Sequence, residues 1–155
     1  MHDWLWWILA SVHLLAGAAW FGAMFYSLTV LHPRADRFFD SDDQRFESFI
    51  ATLAQSARWK VLSVLALIAI TGAAMIPLAQ SRAAAHWKGI IAAKAILWLL
   101  AVGIFCRVSW RLWPARIFAA PQDLPAIRRH FRASAIAMIC IAAAAMVLGV
   151  WAHGG

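Results

Sequence analysis

Four long apolar runs dominate the chain, and the stretches between them carry most of the polar residues. A helix needs about 20 mostly apolar residues to cross the hydrocarbon of a bilayer, and each run is long enough. We therefore predict an all-α integral membrane protein, a single four-helix membrane domain over residues 1–155. The predicted spans are about 4–30, 61–79, 89–110 and 133–152.

A further helix is predicted in the polar stretch between the first two spans. Phe46, Phe49, Ile50 and Leu53 recur there at helical spacing. The pattern predicts a helix over about 42–58, which either lies at the membrane interface or continues straight into the second span. We find no internal repeat and no soluble domain in the sequence, and the short connections favour an up-down bundle.

The basic residues predict the orientation of this bundle. Most of them lie between the first and second spans and between the third and fourth. Because cytoplasmic loops carry the excess of Lys and Arg, these two connections are predicted inside and both termini outside. Tryptophans near the span ends predict an outer aromatic belt at Trp4, Trp6, Trp7, Trp87 and Trp151, and an inner belt at Trp59, Trp110 and Trp113.

Composition excludes whole classes of protein. Hydrophobic residues make up 64% of the 155 residues and charged residues only 14%, whereas soluble domains carry about 25% charged residues. The net charge of +7 is interrupted by membrane-length apolar runs, so we attribute it to inner loops and not to nucleic-acid binding. The environment predicted for the protein is the lipid bilayer, as a multi-pass protein of the bacterial inner membrane.

Two ionisable residues fall inside the predicted spans, His13 in the first and Lys94 in the third. Such groups are functional candidates because their burial is unfavourable. Both are predicted in the outer half of the bilayer, with Lys94 nearer the surface. Two structural explanations stay open: Lys94 extending to the outer headgroups, and His13 making an interhelical hydrogen bond, for which Thr71 is a candidate.

Residues following His13 at helical spacing form a stripe with it. Gly17, Trp20 and Met24 come four, seven and eleven residues later. Gly17 leaves room for a flat cofactor or for a close helix, and Trp20 either packs on that cofactor or fills the core. We take His13, Lys94, Trp20 and Gly17 as the candidate cofactor-binding residues.

Soft metal ligands are spread in layers along the spans. Cu(I) prefers thioether, thiolate and imidazole groups, so such a series of ligands is suited to copper passage. No pair has the close spacing of a preformed metal motif, and no span contains Asp or Glu. The candidate metal ligands are His13, His2, His86, His153, Met75 and Met146.

Two stretches carry a resemblance to a known family. The first is His13-Leu-Leu-Ala-Gly-Ala-Ala-Trp20-Phe-Gly22-Ala-Met-Phe25, and the second is Trp87-Lys88-Gly89-Ile-Ile-Ala-Ala-Lys94. They resemble the first-helix signature and the third-helix start of the copper-resistance D (CopD) membrane domain. Pro33 stands where that family often closes the first helix. The resemblance covers nearly the whole chain and implies copper handling.

The same histidine-to-lysine pattern is similar to the HemJ-type protoporphyrinogen oxidases. In that family a first-helix histidine and a third-helix lysine are implicated in haem binding or activity, and the matching residues here are His13 and Lys94. After Tyr26 the chain departs from the family pattern, since Ser27-Leu28-Thr29 replaces the expected Leu-Pro-Arg run. The Tyr-His that usually follows the lysine helix is also missing.

Three functions follow as expectations. The first is a CopD-like inner-membrane protein that binds copper or transfers it across the membrane, receiving it from a periplasmic copper chaperone. The alternative is a haem b protein that uses His13, and only in that case is an enzyme, a haem-dependent oxidoreductase, expected. The second alternative is a non-catalytic subunit of another membrane protein or of a homo-oligomer.

Overall fold

The computed structural model describes residues 3–39, 42–79, 86–120 and 122–154, and every regular element in these ranges is helical. This confirms the all-α prediction. The elements are α1 (Asp3–Tyr26), a first π-helical turn (Ser27–Leu31), α2 (His32–Phe39), α3 (Asp43–Ala79), α4 (Trp87–Arg107), a second π-helical turn (Val108–Leu112), α5 (Trp113–Ile117) and α6 (Leu124–Gly154).

Four of the described helices are long and apolar enough to cross a membrane. They include the four predicted spans, so the prediction of a multi-pass membrane protein is confirmed. The first and third run on through their π-turns into α2 and α5. The predicted helix over 42–58 is continuous with the second span: α3 has 37 residues, about 55 Å at 1.5 Å per residue. Its first turn is capped by Asp42, whose carboxylate accepts the Arg45 backbone N–H at 3.0 Å.

The four long helices form an antiparallel bundle. α1 packs against both α3 and α6, and α4 packs against α6. The Trp98 indole N–H donates to the Leu65 carbonyl at 3.1 Å, which ties α4 to α3. Contacts between the start of one helix and the end of the next, such as His13 with Thr71, show the up-down arrangement directly.

Each π-turn is followed, two residues on, by a proline. His32 donates its backbone N–H to the Ser27 carbonyl and Trp113 to that of Val108, both five residues back. Pro33 and Pro114 follow. A proline ring collides with the carbonyl four residues before it in a regular helix, and the wider π-turn gives that carbonyl room. Pro33 therefore does not end the first helix here.

The two halves of the bundle repeat one plan in a constant register, so the prediction of no internal repeat is wrong. Corresponding elements start at Ser27 and Val108, at His32 and Trp113, and at Asp43 and Leu124, and the interval along the chain is the same for all three pairs. Contacts repeat with this interval. In one contact, Gly17 faces Met146. The residue corresponding to Gly17 in the other half is Trp98, and the one corresponding to Met146 is Leu65. Trp98 and Leu65 also meet, through a hydrogen bond.

The core has two parts. The one within the membrane is built around Trp20, Leu65, Ala101, Phe105, Met138 and Ala142. The other lies where the helices extend past the predicted inner ends of the spans, and its buried residues are Ala35, Phe46, Ile50 and Trp113. Trp113 was predicted in the inner aromatic belt. It is only 9% exposed, because it packs under Phe131, so that assignment is wrong.

Candidate functional site

The outer site is centred on His13. Its Nδ1 lies 2.9 Å from the Thr71 hydroxyl oxygen, which confirms the interhelical hydrogen bond predicted from the sequence. Thr71 is buried at 4% exposure, about two turns from the predicted outer end of α3's span. The pair therefore fixes the imidazole between α1 and α3.

The hydrogen-bond network around Thr71 selects the tautomer of the neutral imidazole. The Thr71 hydroxyl donates to the Leu67 carbonyl at 2.6 Å, so its oxygen can only accept from His13. Nδ1 therefore carries the proton, and the lone pair of Nε2 is left for another partner.

Lys94 approaches the same site from α4. Its Nζ lies 3.3 Å from the position a Cβ on Gly149 of α6 would occupy, and it interacts electrostatically with His13. Lys94 is the counterpart of His13 in the repeat, since both precede the start of their π-turns by the same number of positions. The two groups therefore occupy corresponding positions in the two halves of the bundle.

Glycines allow the helices to come together around these side chains. A Cβ on Gly72 would stand 3.2 Å from Cε1 of His13, and a Cβ on Gly17 would stand 3.9 Å from Cε of Met146. With Gly149 against Lys94, each glycine accommodates a side chain from another helix. Gly17 thus leaves room for a close helix, one of its two predicted uses.

Trp20 lies two turns further inward on α1, at 8% exposure. It packs with Leu65, Ala101 and Met138, which is its predicted use as a core residue. Its indole N–H is buried and has no hydrogen-bond partner among the described residues. Met24 packs against the same cluster.

The remaining predicted ligands do not all meet at His13. Met146 is one turn inward of it, opposite Gly17, and half-buried Met75 is one turn outward of Thr71 on α3. His86 is exposed and precedes α4. His2 lies outside the described residues, as does the side chain of His153. Within the described ranges, no three His, Cys, Asp or Glu residues form a cluster that could hold a metal ion.

Electrostatically the outer site is basic. All the acidic residues of the chain fall outside the four predicted spans: they are Asp3, Asp36, Asp40, Asp42, Asp43, Glu47 and Asp123. Lys94 and His13 therefore share their part of the bundle with thioether, hydroxyl and carbonyl groups. These groups can ligate a soft cation or solvate a proton, and they include no nucleophile activated by an adjacent carboxylate.

A second polar cluster at the opposite end of the bundle escaped the sequence reasoning. Glu47 of α3 accepts two hydrogen bonds from Arg116 of α5, from Nε and, at 3.0 Å, from Nη2. Arg128 of α6 donates from Nε to the same carboxylate at 3.0 Å. Glu47 is the single glutamate of the chain, the one signal that would have drawn attention to it.

Aromatic rings surround this cluster. The Arg116 guanidinium is 5% exposed and lies 5.1 Å from the centroid of Phe131, and Arg128 lies 4.9 Å from that of Phe46. Burial by itself would raise the pKa of Glu47, but the hydrogen bonds and charges of the two arginines outweigh it and hold that pKa below its usual value. Burial, and then the charge of Arg116, lowers the pKa of nearby His32.

Comparison with known proteins identifies no relative. No family model matches the chain, no curated protein matches its sequence and no solved structure matches its fold. The class is therefore stated from the fold and the sites alone: a four-helix, multi-pass membrane protein with a basic, methionine-flanked site in one half of its bundle.

Proposed function

We propose that the protein is a CopD-like membrane protein that handles copper, with His13 and Met146 as ligands of the Cu(I) cargo. One observation carries the proposal. The His13 imidazole is held by Thr71 through Nδ1, so Nε2 is available for a metal. The Met146 thioether lies one helical turn away along the same face of α1, opposite Gly17.

The donor set supports copper over other cargo. Imidazole and thioether suit Cu(I), whereas Mg²⁺ and Ca²⁺ require carboxylate-rich oxygen ligands that the spans lack. Met75 lies one turn outward of Thr71, and Met138 lies eight residues inward of Met146, about 12 Å along α6. A series of thioethers on both sides of His13 supports stepwise transfer through the bundle.

The basic side chain of Lys94 favours transit of copper through the site over its storage there. A Cu(I) ion bound at His13 would lie near the Lys94 side chain, and a protonated Lys94 would repel it. No carboxylate of the spans offsets that repulsion. This repulsion favours release of the bound ion over permanent storage.

The packing favours a single ion over a porphyrin. Gly17, Gly72 and Gly149 each accommodate a side chain of another helix, so a haem would require the helices to separate. His86, one candidate for a second axial ligand, is exposed. Haem b stays the alternative function, because His13 and Lys94 are also the residues that the HemJ resemblance implicates.

We place the protein in the bacterial inner membrane, with both termini and the His13 end of the bundle on the periplasmic side. This orientation follows from the basic residues of the two inner connections. A periplasmic chaperone is then the natural donor of copper to the site.

The test is Cu(I) binding by the purified protein under reducing conditions, in competition with a coloured chelator. We expect the wild-type chain to retain about one copper, and His13→Ala and Met146→Leu to weaken binding at least about tenfold, the loss of one metal ligand. The matched control is His130→Ala, because His130 is exposed at the other end of α6 and bonds only the Ala126 carbonyl among the described residues.

Each alternative gives a different result in the same experiment. A Soret band in freshly solubilised protein that disappears in His13→Ala would replace copper with haem. If the wild-type protein holds neither copper nor haem, and His13→Ala changes only thermal stability or the recovery of a partner, the protein is a non-catalytic membrane subunit.

A further inference from the structure

A basic groove lies on the surface of the bundle near the inner end of α4, and its lining residues belong to neither polar cluster. It has a volume of about 460 Å³ and is lined by Cys106, Arg107, Trp110 and Arg111. These residues stand at the end of α4 and in the second π-turn. Both arginines are exposed.

The groove lies at the inner end of the predicted third span, where lipid headgroups are expected. α4 runs from Trp87 to Arg107, 21 residues, about 30 Å at 1.5 Å per residue. The helix continues through the second π-turn into α5, so Arg107 and Arg111 stand on either side of the inner end of the predicted span 89–110. Trp110 and Trp59, which are 51% and 72% exposed, accompany them at this level, as expected of interfacial tryptophans.

A third arginine packs beside the groove, against one of its lining residues. Arg58 of α3 donates to the Ser109 carbonyl at 3.1 Å, and its guanidinium lies 5.7 Å from the centroid of the Trp110 ring. Arg58 is thus engaged with the protein. Arg107 and Arg111 make no ion pair or side-chain hydrogen bond with any residue of the described ranges.

The surface above the groove suits an acyl chain. Gly103 lies one turn before Arg107, and a Cβ there would meet no heavy atom within 4 Å. Exposed Leu99 and Leu100 continue this surface towards the middle of the membrane. An exposed apolar surface thus leads from the predicted middle of the third span towards Arg107 and Arg111.

We propose that this groove binds an anionic phospholipid. The phosphodiester accepts hydrogen bonds from Arg107 and Arg111, the headgroup lies against Trp110, and an acyl chain passes over Gly103. Charge complementarity selects the lipid, because no carboxylate of the described residues lines the groove and basic interfacial sites attract anionic headgroups. The proposal is independent of copper handling.

Native mass spectrometry of the full chain, released from detergent with added lipid, tests the proposal. Phosphatidylglycerol is compared with phosphatidylcholine in wild type and in the double variant Arg107→Gln/Arg111→Gln. We expect the preference of the wild type for phosphatidylglycerol to fall about 30-fold in the variant. The control, Arg34→Gln/Arg37→Gln, removes the same charge from exposed positions of α2 and should change the preference less than about twofold.

A variant without a charge change keeps the test decisive if the double variant does not fold. Gly103→Phe places a bulky ring on the surface that the acyl chain would cover and should also weaken phosphatidylglycerol binding. Equal loss in the arginine variant and its control would overturn the proposal. Displacement of the lipid by millimolar inorganic phosphate would also overturn it, because the groove would then be an anion site without a requirement for lipid.

Discussion

The two polar clusters of this bundle are built on corresponding positions of its two halves and differ in charge balance. His13 and Lys94 are counterparts in the repeat, and so are Glu47 and Arg128, because both pairs are separated by the same interval along the chain. In the outer pair both residues are nitrogen bases that interact electrostatically. In the inner pair a carboxylate accepts hydrogen bonds from a guanidinium.

Under the proposed function, this difference separates a structural cluster from a ligand-binding one. Glu47 has its counter-charges within the chain, so the inner cluster holds α3, α5 and α6 together without a ligand. The outer site has no carboxylate within its spans. The Thr71 hydroxyl bonds Nδ1 of His13, and under the proposed function a bound ion occupies the other ring nitrogen. Removing a residue should therefore reduce stability at the inner end and ligand binding at the outer end.

The largest effect on stability is expected from Glu47→Ala. It would leave the Arg116 guanidinium, 5% exposed, without its carboxylate, and breaking a buried ion pair in this way costs about 3 kcal/mol. Thermal unfolding in detergent measures the loss. Asp36→Asn is the control, because Asp36 is exposed on α2 and should change stability by less than about 0.5 kcal/mol. Equal effects of the two variants would contradict a structural role for Glu47.

A smaller, local effect is expected from Gly72→Ala. Its new Cβ would stand 3.2 Å from Cε1 of His13, closer than normal packing permits, and should move the imidazole and weaken Cu(I) binding several-fold. Gly22→Ala is a matched control, since a Cβ there meets nothing within 4 Å. It should stabilise its helix by about 0.5–1 kcal/mol through helix propensity and leave copper binding unchanged. A normal copper affinity in Gly72→Ala would show that the position of His13 is not critical.

Hydrophobic periodicity and length predicted the spans, because the length and apolar character of a span depend on the membrane and not on neighbouring helices. They did not predict how each helix is rotated. The His13–Thr71 bond was anticipated as one option, whereas the approach of Lys94 to Gly149 depends on the packing of α4 against α6. The joining of Glu47 to Arg116, 69 residues away, likewise depends on tertiary packing.

The repeat was missed because sequence identity between the halves is sparse. Corresponding positions share Gly22 with Gly103, Leu31 with Leu112 and Pro33 with Pro114, but most others differ. The element boundaries and the contacts keep one constant interval between the halves. The side chains at the corresponding positions His13 and Lys94 nevertheless differ, one being an imidazole and the other an amine. A search for prolines at equal distance from the histidine of the first span and the lysine of the third would have found it.

The smallest effect on stability is expected when the pH is lowered. Because the pKa of Glu47 is lower in the folded protein than its ordinary 4.5, the carboxylate stabilises the fold fully above about pH 4.5, and this contribution is lost as pH falls towards the folded pKa. Thermal unfolding between pH 7 and pH 3 should show the decline in wild type. In Glu47→Gln the slope over the acid range should be shallower; an identical slope would assign the acid sensitivity to other groups.

The most direct test of the outer site is X-ray absorption at the copper edge of the Cu(I)-loaded protein. The account predicts one imidazole nitrogen and at least one thioether sulfur around the metal, with the nitrogen lost in His13→Ala and sulfur scattering reduced in Met146→Leu. A copper spectrum that is the same in wild type and in both variants would contradict the proposed site.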